Sequence, residues 1–556
     1  MGKRRILMCA ESSHVDSGFG NYTRNLLSRL YETGKYEIAE LSAYRSPNMK
    51  KGFPWRIYPV VPIEGGPQDV EQKEIAKRYR SNPANAFGTW AFEAACYDFK
   101  PDIVFDVRDF WMLNFPEVSP FRPFFHWFVA PTIDSAPQRK EWLQTFANAD
   151  TVSGHTQWGV DYLASTNMGM NLVEPVNDAV NTDVFLPSHQ PKEIIKQELG
   201  FNKDDIIIGS VMRNQKRKLI PNVIKIAKEV SKQVPNVKLY LHTSYPDMNG
   251  WDLPSLLVEH DAMDLVYMTY KCQACGAHFA STFKDSNTIC HKCGKHAAVV
   301  CSVSNGVNEQ ELSNIFNSFD IYLQYAICEG FGIPPVEAAA CGVPVVTIDH
   351  GAMAEIGASI GADIIPVASE FRELETNADR VYPDDNKCID VLVEKCKKIP
   401  EMSFIEKSKV RDQAREKLIS SYSWDKTAKT FENILDNIQL TGFQGKWDSA
   451  PQKSRTEVKV PQLPSHRKTI NFITNYIMNT PHLTKTSTIQ DVIKSLCLGY
   501  KMNGPNMHPF TFEDAVKSLE GLMHNKDLWE QVRIGEIDFP KPLKYIIEYP
   551  SADHLK

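Results

Sequence analysis

No stretch of this 556-residue chain is apolar for the roughly 20 consecutive residues that a membrane-crossing helix requires. Positive charge is not in excess either. The 62 Lys and Arg stand against 68 Asp and Glu, a formal net charge of −6, so bulk composition argues for neither a nucleic-acid coat nor an anionic membrane surface. A disulfide framework is missing: of 12 cysteines, eight are scattered and four form two Cys-x-x-Cys pairs, the usage of a reducing compartment where paired thiolates hold metal. There is no repeat of fixed period and no low-complexity tract. Lys3-Arg4-Arg5 followed by Ile6–Ala10 has the order of a secretory leader, but five apolar residues before Glu11 fall short of an h-region. They read as a first buried strand, and the expected location is cytoplasmic.

What is present is an ordinary globular composition, 42% hydrophobic and 23% charged, at a length that suits two large domains plus extras. The strand expected at 4–10 runs into Ser17-Gly18-Phe19-Gly20-Asn21 and then a helical pattern carried by Leu26, Leu27 and Leu30. Strand, glycine-rich turn and helix open a doubly wound α/β domain. Further strands are expected at 37–42, 102–106 and 123–130, with 45–85 read as loop from its Pro, Gly and Asn. The rhythm restarts at Asp205–Val211, with a helix near 220–232 and strands at 237–242, 319–325 and 343–348. The expectation is an N-terminal α/β domain over 1–187, a second over 188–440 with an insert at 270–302, and a linker plus helical extension over 441–556.

Two loops carry chemistry. In Cys328-Glu329-Gly330-Phe331-Gly332-Ile333-Pro334-Pro335-Val336-Glu337, the glycines let backbone approach a ligand closely. The prolines suit a helix start, whose free N–H groups face an anion such as a diphosphate. Glu337, one turn into that helix, can accept from a ribose diol, and Glu329 from sugar hydroxyls. The second loop, Met212-Arg213-Asn214-Gln215-Lys216-Arg217-Lys218, places cations after a strand, where they can neutralise a leaving diphosphate without a metal. Lys216 and Arg217 read equally as surface charge.

The first loop resembles the Glu-x7-Glu motif of glycosyltransferase family 4, and Arg213 with Lys218 resembles the Arg-x4-Lys pair of that family. Gly18 and Gly20, the stretches 150–155 and 175–185, and the segment opening at Trp424 extend the resemblance over residues 4–440, the insert excluded. It implies the GT-B fold, two Rossmann-like domains facing a cleft, with the second holding the nucleotide. It also implies a UDP- or GDP-linked sugar donor and retention of anomeric configuration. Catalytic roles fall to Arg213, Lys218 and Glu329, and donor contacts to Glu337, Gly330, Phe331, Gly332, Gly18 and Gly20. Many relatives carry a His-Asp pair at the end of an N-domain strand. Here Pro123–Asp134 lacks one, which leaves Asp134 as the acceptor-side candidate and His126 as a core histidine. No Asp-x-Asp occurs, so no catalytic metal is expected.

Cys272-x2-Cys275 and Cys290-x2-Cys293, fourteen residues apart, have the spacing of a zinc ribbon, in which four thiolates close a structural tetrahedral site. The ribbon could serve folding, dimer contact or acceptor docking. The acceptor stays open among a glycan, a lipid-linked sugar, a protein and a modified nucleic-acid base. Two rival readings are a catalytically degenerate binding protein whose ribbon holds nucleic acid or protein, and an epimerase of similar form.

Overall fold

The computed structural model describes residues 2–451 apart from 16, 46–51, 63–75, 249, 285–286, 303–304 and 374–377. The expected helical extension beyond 451 lies outside the described residues. No helix among them is long and apolar enough to cross a membrane.

The first sheet contains β1 (Arg4–Glu11), β2 (Tyr36–Ala43), β3 (Arg56–Pro59), β4 (Ile103–Asp106), β5 (His126–Val129) and β6 (Thr151–Val152) in the order β3-β2-β1-β4-β5-β6. All neighbours are parallel. Ile6–Ala10 are fully buried because helices cover both faces, which is why the strand reads as one apolar run. Strand β3 falls within the stretch expected to be loop. Its Arg-Ile-Tyr-Pro carries no alternation, and pairing to the edge of β2 is what makes it a strand.

The second sheet is built on β7 (Ile206–Val211), β8 (Val237–His242), β9 (Val266–Cys272), β10 (His278–Thr282), β11 (Thr288–Ile289), β12 (His296–Val300), β13 (Ile321–Leu323), β14 (Val345–Ile348) and β15 (Asp363–Ile365). Its parallel part runs β9-β8-β7-β13-β14-β15, the same doubly wound order as the first sheet. In both, the order reverses beside the first strand, and ligands of open α/β sheets bind at the carboxyl ends next to that reversal. The helix Ile220–Gln233 lays Ile220, Val223, Ile224, Ala227 and Val230 on this sheet at helical spacing.

The cysteine segment is not a separate appendage. β9 pairs with β8 over Val266–Met268, then antiparallel with β12 over Tyr270–Cys272, while β10 takes its other edge. The four-cysteine module is therefore an extension of a core strand. After β15 an antiparallel hairpin follows, β16 (Val367–Arg372) with β17 (Asp379–Pro383).

Two segments sit differently from the sequence division. The helix Trp424–Asn437, placed by sequence in the second half, packs on the first sheet, with Phe431 against Phe105 at 4.5 Å and Phe128 at 5.6 Å. Residues 441–450, read as the start of a polar linker, dock there too: Trp447 is buried and its Nε1 donates to Pro101 O at 2.9 Å.

Candidate active site

The reversal point of the second sheet holds both predicted loops, one after β7 and one after β13. Between them Glu329 is 6% exposed. Its Oε2 accepts from Arg217 Nη1 at 2.8 Å, and its Oε1 accepts from Gln324 Nε2 at 2.9 Å and from the Lys218 ammonium. Burial alone would raise the pKa of this carboxyl. The Arg217 and Lys218 charges outweigh that and hold it at about 2. Burial lowers the Lys218 pKa, with Glu329 partly restoring it. Leu219 follows at φ 45°, left-handed backbone that costs a non-glycine residue about 1–2 kcal/mol, and it turns the chain into the helix Ile220–Gln233.

Of the two cations that read equally as surface charge, Arg217 instead pairs with the buried Glu329. Lys216 is the outward cation, its Nζ 4.0 Å from the centre of the Trp251 ring. Arg213 lies at the rim with its side chain 60% exposed, paired to Asp247 at 3.3 Å. It is not in contact with Glu329.

Gly332, at φ 98°, caps the helix Ile333–Ala340 with left-handed backbone that favours glycine. A Cβ on Gly330 would stand 2.2 Å from Thr132 Cγ2, so the loop after β13 presses on the loop after β5. Phe331, expected as a donor contact, turns its side chain inward. Its ring is buried edge-on against Tyr422 at 5.3 Å and anchors the loop to the core. Glu337 is 7% exposed, and among the described residues its carboxylate has no hydrogen-bond partner. Burial, reinforced by Glu309, pushes its pKa up to about 8.

From the first sheet, Asp134 reaches the same junction. Its Oδ1 is 3.3 Å from Arg380 Nη1 on β17 and accepts from Ser135 Oγ, and its Oδ2 accepts from Cys328 Sγ at 3.5 Å. Gly20 has no room for a side chain, since a Cβ would sit 2.1 Å from Val15 O. A Cβ on Gly18 would be 3.3 Å from Ile333 Cδ1, which places the glycine-rich turn beside the start of the Ile333 helix. His126 lies at the opposite end of β5, bonded to Thr151 Oγ1 at 2.9 Å.

Three residue groups escaped the sequence reading. Glu11 ends β1, and its pKa is raised by burial against Ser17 and Arg213. Asp109 follows β4; burial, Asp134 and Glu11 lift it to about 6, opposed by Thr132 and Arg217. His155 Nδ1 stands 2.9 Å from Asp178 Oδ2, a His–Asp pair made in space from two stretches far apart in sequence. Burial would lower the His155 pKa, and the Asp178 charge raises it overall.

The four cysteines converge. Their sulfurs all lie within 4.8 Å of one another, with Cys272–Cys293 and Cys275–Cys290 at 3.7 Å. Thiolates about 2.3 Å from a tetrahedral metal stand about 3.8 Å apart, so the cluster could hold a metal ion.

Residues 284–360 match the family model of glycosyl transferases, group 1. The match takes in Glu329 and Glu337 and leaves the basic turn outside. Among solved structures, a sucrose-phosphate synthase from Thermosynechococcus elongatus superposes with a TM-score of 0.55 at 16% identity over 78% of this chain and 98% of its own. A glycosyltransferase from Rickettsia africae gives 0.51 at 12% identity, covering 79% and 100%. Anabaena HepE, solved with UDP and glucose, gives 0.51 at 11% identity, covering 78% and 100%. The chain shares the fold of these three structures. No curated protein matches it by sequence.

Proposed function

We propose that this chain is a retaining glycosyltransferase that moves a sugar from a UDP- or GDP-linked donor to an acceptor. The observation that carries the reading is the buried Glu329 carboxylate between Lys218 and Arg217, below the amino end of the Ile333–Ala340 helix and inside the family match. HepE, a structure of the same fold, is itself a complex with UDP and glucose.

In this reading the N–H groups of Gly330, Gly332 and Ile333 receive the diphosphate, Pro334 and Pro335 having none to offer, and the first turn of the helix Gly18–Glu32, which holds Gly18 and Gly20, lies beside them. Lys218 and Arg217 face the developing negative charge, and Arg213 swings from the rim to join them. Glu337 takes the ribose diol and Glu329 the donor sugar. Asp134 stands on the acceptor side, which assigns residues 1–187 to the acceptor and 188–440 to the donor. The cations stand where a divalent metal would otherwise act. The four cysteines fit structural zinc, which would tie β9 to β12 and take no part in the chemistry.

The test is a screen of nucleotide-sugar hydrolysis with the anomer of the product read by NMR. Release of UDP or GDP with the donor's configuration retained supports the reading. Inverted product removes the retaining assignment. Nucleotide binding without turnover of any donor favours the degenerate binding protein.

A further inference from the structure

Resting on the donor-site reading above, we propose that Gln324 is a positioning residue that fixes the plane of the Glu329 carboxylate and, through it, the place of Lys218.

Gln324 immediately follows β13 and is 1% exposed. Its Oε1 accepts from Tyr322 Oη at 2.8 Å, and its Nε2 donates to Glu329 Oε1 at 2.9 Å. Tyr322 is fully buried, with its hydroxyl also 3.1 Å from Val211 O at the end of β7. This network sets the amide orientation. Flipped, its oxygen would face Glu329 Oε1, two acceptors with no proton between them.

The donors on the carboxylate differ in kind. The Lys218 ammonium is a compact charge that can roll around an oxygen, whereas a guanidinium N–H and an amide N–H are directional. One directional donor stands on each oxygen, Arg217 on Oε2 and Gln324 on Oε1. Together they fix the carboxylate plane. With the amide removed, Arg217 alone leaves rotation about the last side-chain bond of Glu329, and Lys218 loses its fixed reference, whereas Arg217 is still held by Cys328 O at 3.0 Å. The backbone N–H of Gln324 bonds Val346 O at 2.9 Å independently of the side chain.

The experiment compares wild type, Gln324→Leu and Gln324→Glu on the donor that the wild type hydrolyses. Loss of a group that orients a site residue costs about 10- to 100-fold, so Gln324→Leu should lower kcat by that range with donor KM changed far less. Gln324→Glu keeps the shape and the acceptor for Tyr322 but sets a second carboxyl against Glu329. Two such groups in contact cannot both ionise. Its kcat should therefore approach wild type at acid pH and fall as the introduced carboxyl loses its proton, a limb absent from the wild type. A structural role alone would lower the melting temperature and leave the shape of the pH profile unchanged. If Gln324→Leu does not fold, the isosteric Gln324→Glu variant still decides. Wild-type kcat in Gln324→Leu, or a wild-type pH profile in Gln324→Glu, overturns the proposal and leaves the donor-site reading standing. A wild type inert toward every donor overturns the reading and the proposal together.

Discussion

Replacing Glu337 by glutamine should stabilise the protein in a pH-dependent way. The carboxyl is buried, has no hydrogen-bond partner among the described residues, and is raised from an ordinary 4.5 to about 8 by burial and by Glu309. Between those two values the unfolded chain ionises this group while the native protein keeps it protonated. The native state then binds more protons, so stability falls as pH rises through this window. At about 1.4 kcal/mol per pH unit the loss has an upper bound of ~5 kcal/mol, and water entry reduces the realised figure to a few kcal/mol. An amide cannot ionise, so Glu337→Gln escapes the loss. Melting curves at pH 4.5, 6, 7 and 8 should show the variant gaining on the wild type at each step, with little difference at pH 4.5. A gap that is constant with pH would show that Glu337 is ionised throughout and that the burial argument fails. A separate measurement bears on its proposed role. Glu337→Ala should weaken nucleoside diphosphate binding by about 1.5–3 kcal/mol in calorimetry above about pH 8, where the carboxylate is charged, and by about 0.5–1.5 kcal/mol below it, and unchanged affinity would remove the ribose contact.

Lys218→Ala should lower turnover by about 10²- to 10³-fold, more than the loss of this buried partner of Glu329 perturbs folding, since it faces the leaving charge; a low melting point with full specific activity would make it structural. Arg213→Ala should lower turnover less, because its side chain is 60% exposed and pairs with Asp247 at 3.3 Å rather than with Glu329; the comparison is kcat/KM on one donor. Elemental analysis should find about one zinc per chain, lost in the Cys272→Ser/Cys275→Ser double variant. Because metal binding is coupled to the order of such modules, faster amide exchange should follow around β9, β10 and β12; unchanged exchange would show that the metal is dispensable for the fold.

The strands were legible where both faces are buried, because Ile6–Ala10 and Ile206–Ile208 must then be apolar throughout. The loops were legible because close backbone approach demands glycine and a helix start tolerates proline, as Gly332 and Pro334 show. Other features depend on direction, which composition does not carry. Lys216, Arg217 and Lys218 are three adjacent cations, and only the 3-10 turn they form decides that Arg217 and Lys218 face inward while Lys216 lies over Trp251. Glu11 and Asp109 are lone acids at strand ends whose meaning comes from sheet order. His155 and Asp178 meet only in three dimensions. Trp447 looked like part of a polar linker because its neighbours are polar, yet one indole finding Pro101 O and the first core is enough to dock the segment.

The most direct measurement is nucleoside diphosphate release from a panel of UDP- and GDP-sugars by the wild type and by Lys218→Ala, after brief EDTA treatment that leaves tightly held zinc in place. The account predicts release from at least one donor by the wild type without added Mg²⁺ or Mn²⁺, and a large fall in Lys218→Ala. Release only with added Mn²⁺, or equal release by the two proteins, would contradict the assignment of Lys218 and Arg217 to the leaving diphosphate.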